Sequence, residues 1–236
     1  DMQSERRFEG GRLVRGEDDV LNELDENAIE AAVQLKESEE DAGCEAEVIA
    51  LTMGPEDAED ALMRALQMGA DRAFLVSDEF LEGSDVITTA SVLSVAIAKI
   101  SDECGPVDLV VTGMASLDAM TSMLPGALAA KAHMPLLGLA RTLSVEDGVA
   151  TIERSVDGFT ETLRAALPAV VSVTDQINEP RYPLVEVPGG QDLVLRRALT
   201  SVTFSEENVR DGSGTIIQDA GEGGRALADY ILSVVK

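Results

Sequence analysis

The sequence predicts an α/β protein with a doubly wound, mainly parallel sheet, an added antiparallel portion, and a C-terminal arm and helix. Short apolar segments alternate with amphipathic segments of ten or more residues before Leu136. This alternation is typical of parallel strands, because a parallel neighbour needs a crossover connection of that length. From Leu136 onward apolar residues recur at every second position, and an irregular stretch after Pro183 precedes one last helical pattern.

Each early element follows from a local pattern. Apolar residues spaced three and four apart, opposite an acidic face, predict a first helix that ends at Gly43. Residues 48–52 predict a buried strand, and Pro55 with the acidic residues after it begins a second helix that ends at Gly69. The pattern repeats as strand RAFLVSD, helix DVITTASVLSVAIAKI, strand DLVVTGM and a helix around SMLPGALAAKA. Ligands of such sheets bind beyond the carboxyl ends of the strands, which points to the segments after Thr52 and Val111.

The second half of the chain follows a different pattern. The segments LLGLARTLSVEDG, VATIERSVDG and FTETLRAALPAVVSVTD alternate with period two, and the Asp-Gly pairs at 147–148 and 157–158 are hairpin turn signals. We interpret this region as an antiparallel addition to the sheet. The closing segment GGRALADYILSVVK predicts a helix that docks on a partner or another domain. We therefore expect an α/β domain over residues 1–183 and an arm with a helix over residues 184–236.

Composition excludes several classes of function. The 44 acidic residues outnumber the 18 basic ones and give a net charge of −26, which argues against a nucleic-acid partner. Aromatic residues make up 3% of the chain, so stacking platforms for single strands are also scarce. No apolar run approaches the roughly 20 residues that span a bilayer, so we expect a cytoplasmic protein without membrane insertion. Cys44 and Cys104 form neither a disulfide framework nor a metal spacing.

Few residues offer catalytic chemistry. His133 is the single histidine, which leaves hydrolytic triads and zinc sites without their parts. No Walker loop and no G-x-G-x-x-G segment follows a strand, so we expect no catalytic residue and no metal. The segment GMASLDAMTSML passes from a strand into a helix, and its backbone N–H groups near Thr121, Ser122 and Met123 suit a phosphate. Met53 and Met123 lie at the predicted crevice.

Several quoted segments together resemble one family. They are LNELDENAIEAAVQLKE, VIALTMGP followed by ALMRALQMGADRAFLV, DLVVTGMASLDAMTSMLPG, and IERSVDG through LPAVVSV into NEPRYP. With them, the sequence resembles the beta subunit of electron transfer flavoproteins over nearly its whole length. The ending DAGEGGRALADYIL is similar to that of actinobacterial members.

The resemblance implies a carrier subunit and not an enzyme with its own turnover. It implies a heterodimer with an alpha subunit that holds most of the redox FAD, while this chain buries AMP, or a second FAD in members that bifurcate electrons. Electrons would pass from flavin dehydrogenases to a membrane quinone oxidoreductase. The segment 178–183 would lead toward the subunit junction, with Arg181 and Tyr182 as candidates for order there.

The resemblance also implies a set of cofactor-binding residues. Asn22, Glu23, Leu24 and Asp25 would line the nucleotide site and the approach to flavin, with Leu24 where many relatives have Phe. Met53 would contact the adenine. The ribose and phosphate would be held by Asp118, Thr121, Ser122 and Met123.

Departures from the family pattern keep other interpretations open. The loop at 117–124 lacks the Gly and Gln of many relatives, which removes backbone freedom and an amide donor, and Phe159 stands where the family expects Gly or an acid. We also expect the whole protein to have a strand before Asp1 and a partner-recognition loop after Pro183.

Two alternative functions remain. One alternative is a free-standing, homodimeric nucleotide-binding α/β regulator without flavin. Another is a purely structural half of a complex whose nucleotide site is empty.

Overall fold

A computed structural model describes residues 8–9, 12–13, 21–116, 120–182 and 191–193. The chain divides into two units, Asp1–Ser205 and Glu206–Lys236, and all of the described residues belong to the first. Asp118, the junction after Pro183 and the expected closing helix lie outside the described residues.

Four helices occupy the stretches where the sequence predicts them. They are α1 (Glu23–Asp41), α2 (Glu59–Gln67), α3 (Val86–Cys104) and α4 (Leu124–Ala132), and a 3₁₀ turn at Glu56–Ala58 precedes α2. Helix α3 begins with a cap in which the carboxylate of Asp85 accepts from the N–H of Thr88 at 2.8 Å. Gly43 and Gly69, the predicted stops of the first two helices, both have positive φ. None of the helices in the described part of the chain is long and apolar enough to cross a membrane.

The described residues form eleven strands. They are β1 (Phe8–Glu9), β2 (Arg12–Leu13), β3 (Ile49–Met53), β4 (Arg72–Val76), β5 (Leu109–Gly113), β6 (Leu136–Ala140), β7 (Thr142–Glu146), β8 (Val149–Val156), β9 (Phe159–Ala166), β10 (Ala169–Val173) and β11 (Gln191–Leu193). The strands β1 and β2 pair as a short antiparallel ribbon.

The longer strands confirm the α/β architecture. Two parallel sheets have the orders β11-β4-β3 and β5-β10-β6, and a third, antiparallel sheet has the order β7-β8-β9. In the described residues the parallel strands therefore lie in two three-stranded sheets, with β3 and β5 each at a sheet edge. The crossovers from β3 to β4 through α2, and from β5 to β6 through α4, follow the predicted strand-helix alternation.

One part of the predicted antiparallel addition is wrong. The strands β6 and β10 are parallel members of the sheet that contains β5, since β10 pairs parallel with both β5 and β6. Within the predicted addition, only β7, β8 and β9 pair antiparallel. The reason is that a period of two marks a strand but not its direction, and all five residues of β10 are buried, as in a strand covered on both faces. The two Asp-Gly turns are confirmed, since all four of their residues have positive φ.

One core cluster joins the antiparallel sheet to the parallel sheet of β5, β10 and β6. Ile152 of β8 is fully buried together with Val171 and Val173 of β10, and Ala28 and Ala31 of α1 belong to the same cluster. Helix α1 therefore rests on both β10 and β5, and its first turn lies next to the end of β5.

Candidate functional site

The first turn of α1 and the carboxyl end of β5 are held together by one carboxylate. The N–H of Gly113 donates to Oδ1 of Asp25 at 2.8 Å, and the amide of Asn22 donates to Oδ2 of Asp25 at 2.8 Å. The same Asn22 amide donates to the carbonyl oxygen of Ala115 at 2.9 Å. Asn22 is the residue before the helix, so α1 begins at the place where β5 ends. This is the carboxyl end of a parallel strand, where the fold class predicts a ligand.

Gly113 allows this close approach. A Cβ atom at position 113 would lie 2.6 Å from both the carbonyl oxygen of Leu24 and Oδ1 of Asp25. The backbone of α1 thus occupies the space that any other side chain would need. Our sequence analysis did not single out Gly113, although a glycine at the end of a predicted buried strand is a signal of close backbone approach.

Two buried polar atoms in this region have no hydrogen-bond partner among the described residues. They are Oδ1 of Asn22 and Oγ1 of Thr112, the residue before Gly113. Buried polar groups are nearly always hydrogen-bonded, because an unpaired one costs about 1–3 kcal/mol. The unpaired oxygen of Asn22 lies in the Asp25 network, whereas Thr112 lies on the other face of β5, where Val110 packs with residues of α3 and α4. An unpaired buried atom at the carboxyl end of a parallel strand is the feature expected of a site that a polar ligand completes. The sequence analysis named Asn22 but missed Thr112.

The segment before α4, residues 120–123, offers backbone groups and not buried side chains to a ligand. Met120 and Ser122 have φ of 50° and 54°, on either side of Thr121, and the N–H of Met123 donates weakly to the Thr121 hydroxyl at 3.4 Å. Helix α4 then begins without a side-chain cap and without an acidic residue in its first turn. A backbone that alternates between right- and left-handed conformations at a helix N-terminus suits an anion.

The two parts of the site differ in charge. The first turn of α1 carries Glu23, Asp25 and Glu26, which favour the helix dipole but repel a phosphate. The start of α4 lacks such charges. The start of α4 is therefore the part of the site that better suits an anion.

The structure brings together only some of the predicted site residues. Asn22 and Asp25 bond to each other, and the backbone of Leu24 contacts the end of β5. Glu23 is exposed in the first turn of α1, and the exposed Thr121, Ser122 and Met123 precede α4. Met53 instead packs against a core cluster that includes Phe74 and Val76. Asp118 lies outside the described residues.

The side of α1 beyond its first turn holds a second polar assembly, which we call the Arg181 clamp: Arg181 with Glu30 and Glu37. The Arg181 guanidinium donates to Glu30 at 2.8 and 3.1 Å and to Glu37 at 2.7 and 3.0 Å, and the N–H of Arg181 donates to Glu30 at 3.1 Å. Nearby, Asn27 donates to the carbonyl oxygen of Asn178 at 3.1 Å, and Asn178 returns a bond to the carbonyl oxygen of Asn27 at 3.0 Å.

The Arg181 clamp shifts the pKa of each of its members. Burial by itself would raise the pKa of Glu30, whose side chain is 5% exposed, but hydrogen bonds from Arg181 and Gln34 bring it below its usual value. The hydrogen bond from Arg181 likewise lowers the pKa of Glu37 against a smaller opposing effect of desolvation. Hydrogen bonds to Glu37 and Glu30 raise the pKa of Arg181.

These shifts predict how stability depends on pH. A carboxylate whose pKa is lower in the folded than in the unfolded chain stabilises the fold above the ordinary value of 4.5, and this contribution is lost as the pH falls through the lower, folded value. We expect Glu30→Gln to lower the free energy of unfolding by about 2 kcal/mol at pH 7, with a smaller difference from wild type below about pH 4. Urea unfolding between pH 7 and pH 3 measures this difference.

A matched control is Glu161→Gln, which removes the partner of Arg154 from a pair on the hairpin of β8 and β9. The Glu161 side chain is far more exposed than that of Glu30, so we expect a change of at most about 1 kcal/mol. A Glu30→Gln effect that stays constant from pH 7 to pH 3 would contradict the prediction.

Comparisons with known proteins identify the family of this chain. Residues 11–197 match the model of the electron transfer flavoprotein domain. The chain is 36% identical to the electron transfer flavoprotein subunit beta of Mycobacterium leprae (strain TN) over 254 aligned positions, which cover 99% of this chain and 94% of that one. These positions exceed the 236 residues of this chain, so the relative has residues without a counterpart here.

A more distant relative belongs to a different complex. The caffeyl-CoA reductase-Etf complex subunit CarD of Acetobacterium woodii is 34% identical over 173 residues, which cover 73% of this chain and 63% of CarD. The domain match covers most of the chain, and the mycobacterial match covers nearly all of it. This chain therefore belongs to the electron transfer flavoprotein family, as a beta subunit.

Proposed function

We propose that this chain is the beta half of a cytoplasmic heterodimer that carries electrons from flavin dehydrogenases to a membrane quinone oxidoreductase. The alpha subunit would hold most of the redox FAD, and this chain would bury AMP. The chain would have no turnover of its own. The family membership supports the electron-transfer role, and the arrangement at α1, β5 and α4 supports the nucleotide.

The orphaned atoms of Asn22 and Thr112 at the carboxyl end of β5 are the observation that carries the nucleotide proposal. Oδ1 of Asn22 can accept from the amino group of an adenine on the α1 side, and the Thr112 hydroxyl, on the α4 side, can pair with a ribose oxygen. The backbone before α4 offers N–H groups to the phosphate. These features support an adenine nucleotide, and we propose Asn22, Glu23, Leu24, Asp25, Asp118, Thr121, Ser122 and Met123 as its surroundings.

Met53 remains part of this proposal, but as a packing residue. Met53 is the last residue of β3 and packs against the cluster that includes Phe74 and Val76. We propose that Met53 acts by packing under the adenine side of the site.

The flavin, when bound, supplies reversible one- and two-electron chemistry. The residues of this chain contribute binding and positioning around it. We propose that residues 1–183 form the nucleotide-binding domain and that residues 184–236 dock on the alpha subunit. The sequence of the tail supports this docking, because its last apolar pattern follows an irregular linker.

Thr112→Val is the sharpest test of the nucleotide site. The substitution removes an unpaired buried hydroxyl, so the nucleotide-free chain should be as stable as wild type or more stable. Nucleotide affinity should fall about tenfold, because the ligand loses a hydrogen bond worth about 1.4 kcal/mol. Thermal unfolding and the nucleotide released by acid from the purified heterodimer measure the two effects. Thr162→Val, on the exposed strand β9, is the control and should change neither.

The same purification tests the whole proposal. A yellow heterodimer with one flavin and one AMP supports it, and two flavins without AMP indicate the bifurcating form with a second FAD. A colourless homodimer that binds ATP or AMP indicates the free-standing regulator. A flavin-containing heterodimer without a second nucleotide indicates an empty site in this chain.

A further inference from the structure

The α4 side of the sheet holds two hydroxyl groups near the carboxyl ends of neighbouring strands. Thr112 of β5 and Ser172 of β10 are Cα partners in a parallel pair, so their side chains project from the same face of the sheet. Val110 projects from this face as well, and it packs on the cluster that includes Leu128 of α4. We call Thr112 and Ser172 the hydroxyl pair.

Both hydroxyls of the pair are buried, and neither uses its full hydrogen-bonding capacity. Oγ1 of Thr112 has no partner among the described residues. Ser172 is 4% exposed, and its Oγ accepts from the N–H of Leu139 at 2.9 Å. That bond uses a lone pair of the oxygen, so the hydroxyl hydrogen of Ser172 is still available, and no described residue accepts it. Buried hydroxyls with unused capacity are the exception in folded proteins.

The neighbouring strand β6 is irregular where it passes Ser172. Gly138 and Leu139 both lie opposite Ser172, because the pairing of β6 with β10 shifts between Val171 and Val173. Leu139 has a φ of 63°, which is rare for a bulky residue, and the bond to Ser172 stabilises it. Gly138 places no side chain beside Ser172, since a Cβ there would lie 3.7 Å from Oγ. Strand irregularities and strained residues of this kind are concentrated at binding sites.

We propose that Thr112 and Ser172 together hold a ribose hydroxyl of the nucleotide, so that the site selects a ribonucleotide over a deoxyribonucleotide. This inference rests on the nucleotide site proposed above. A ligand hydroxyl can accept from Ser172 and donate to Thr112, which uses the free positions of both residues. Two neutral hydroxyls do not offset the cost of burying a charged phosphate, so the ribose is the part of the nucleotide that fits. A site that bonds a hydroxyl rejects an analogue that lacks it, because its buried groups are then left unpaired.

The test compares nucleotides that differ by one hydroxyl. The purified heterodimer is unfolded in urea and refolded with FAD and equal concentrations of AMP, 2′-deoxy-AMP and 3′-deoxy-AMP. The retained nucleotides are separated after acid release. We expect wild type to prefer AMP about tenfold over one of the two analogues, the effect of one hydrogen bond. Ser172→Ala should reduce this preference to about threefold or less, and Ser172→Thr, which keeps the hydroxyl, should restore it.

Thr174→Val is the matched control. Thr174 directly follows β10, and its hydroxyl donates to the carbonyl oxygen of Ala140 in β6 at 3.2 Å. The variant therefore disturbs the same two strands without removing a free donor. The preference for AMP should stay at its wild-type value.

The outcomes separate this inference from the proposed function. If wild type retains AMP and both deoxy analogues equally, the inference is wrong and the nucleotide site stands. If Ser172→Ala lowers the retention of all the nucleotides by the same factor, Ser172 only positions Leu139, and the inference is again wrong. If wild type forms a flavin heterodimer that retains no adenine nucleotide, both the proposed nucleotide site and the inference fail.

Discussion

Replacing Gly113 with alanine is expected to lower the free energy of unfolding by roughly 3 kcal/mol and to empty the nucleotide site. The added Cβ would lie 2.6 Å from the carbonyl oxygen of Leu24, a backbone atom that cannot move unless α1 moves with it. Displacing α1 separates Asp25 from the N–H of Gly113 and Asn22 from Ala115. Urea unfolding and the nucleotide released from the heterodimer measure both effects.

Gly126→Ala is the matched control for this prediction. Gly126 lies inside α4, and a Cβ there would meet only the Leu136 side chain at an ordinary distance of 3.8 Å. We expect this alanine to stabilise the chain by about 0.5–1 kcal/mol, because glycine is a poor helix former. Wild-type stability and wild-type nucleotide content in Gly113→Ala would show that α1 does not rest on β5 as described.

Ile152→Ala is expected to lower the free energy of unfolding by about 2–5 kcal/mol, which is the second large effect. Ile152 is fully buried where the antiparallel sheet meets β10, and its loss leaves a cavity between the two sheets. The measurement is again urea unfolding, with nucleotide content as the second observation. Because Ile152 packs on the cluster that also holds Ala28 of α1, we expect weaker nucleotide retention as well.

The control for Ile152→Ala lies at the tip of the same hairpin. Phe159 is 72% exposed, so Phe159→Ala should change the free energy of unfolding by no more than about 0.5 kcal/mol. Equal losses for the two variants would mean that the hairpin does not pack on β10 through Ile152.

Local patterns explain how much of the fold the sequence predicts. The four described helices and the strands between them recur close to the expected bounds, because glycine stops, proline starts and apolar spacing act over short distances. The largest differences are about four residues, at the start of α2 and the end of α3. The direction of β6 and β10 was not predictable in this way, since parallel and antiparallel strands share a period of two.

The candidate site depends on contacts between distant parts of the chain. Asn22 and Asp25 came from the family resemblance, but their link to Gly113 joins residues 88 positions apart. The contact of Arg181 with Glu30 spans 151 positions. Single-sequence patterns contain no information about such pairs, which explains why Thr112, Gly113 and Glu30 were not predicted.

Helix α1 bonds to the end of β5 through Asp25 and to the segment before Tyr182 through Glu30 and Glu37. Asp25 and Glu37 lie twelve positions apart, which is roughly 18 Å along a single helix. Because both sets of bonds are made by one helix, a movement of α1 changes both. A ligand that stabilises the contacts at one end is therefore expected to stabilise those at the other, and this thermodynamic coupling is reciprocal.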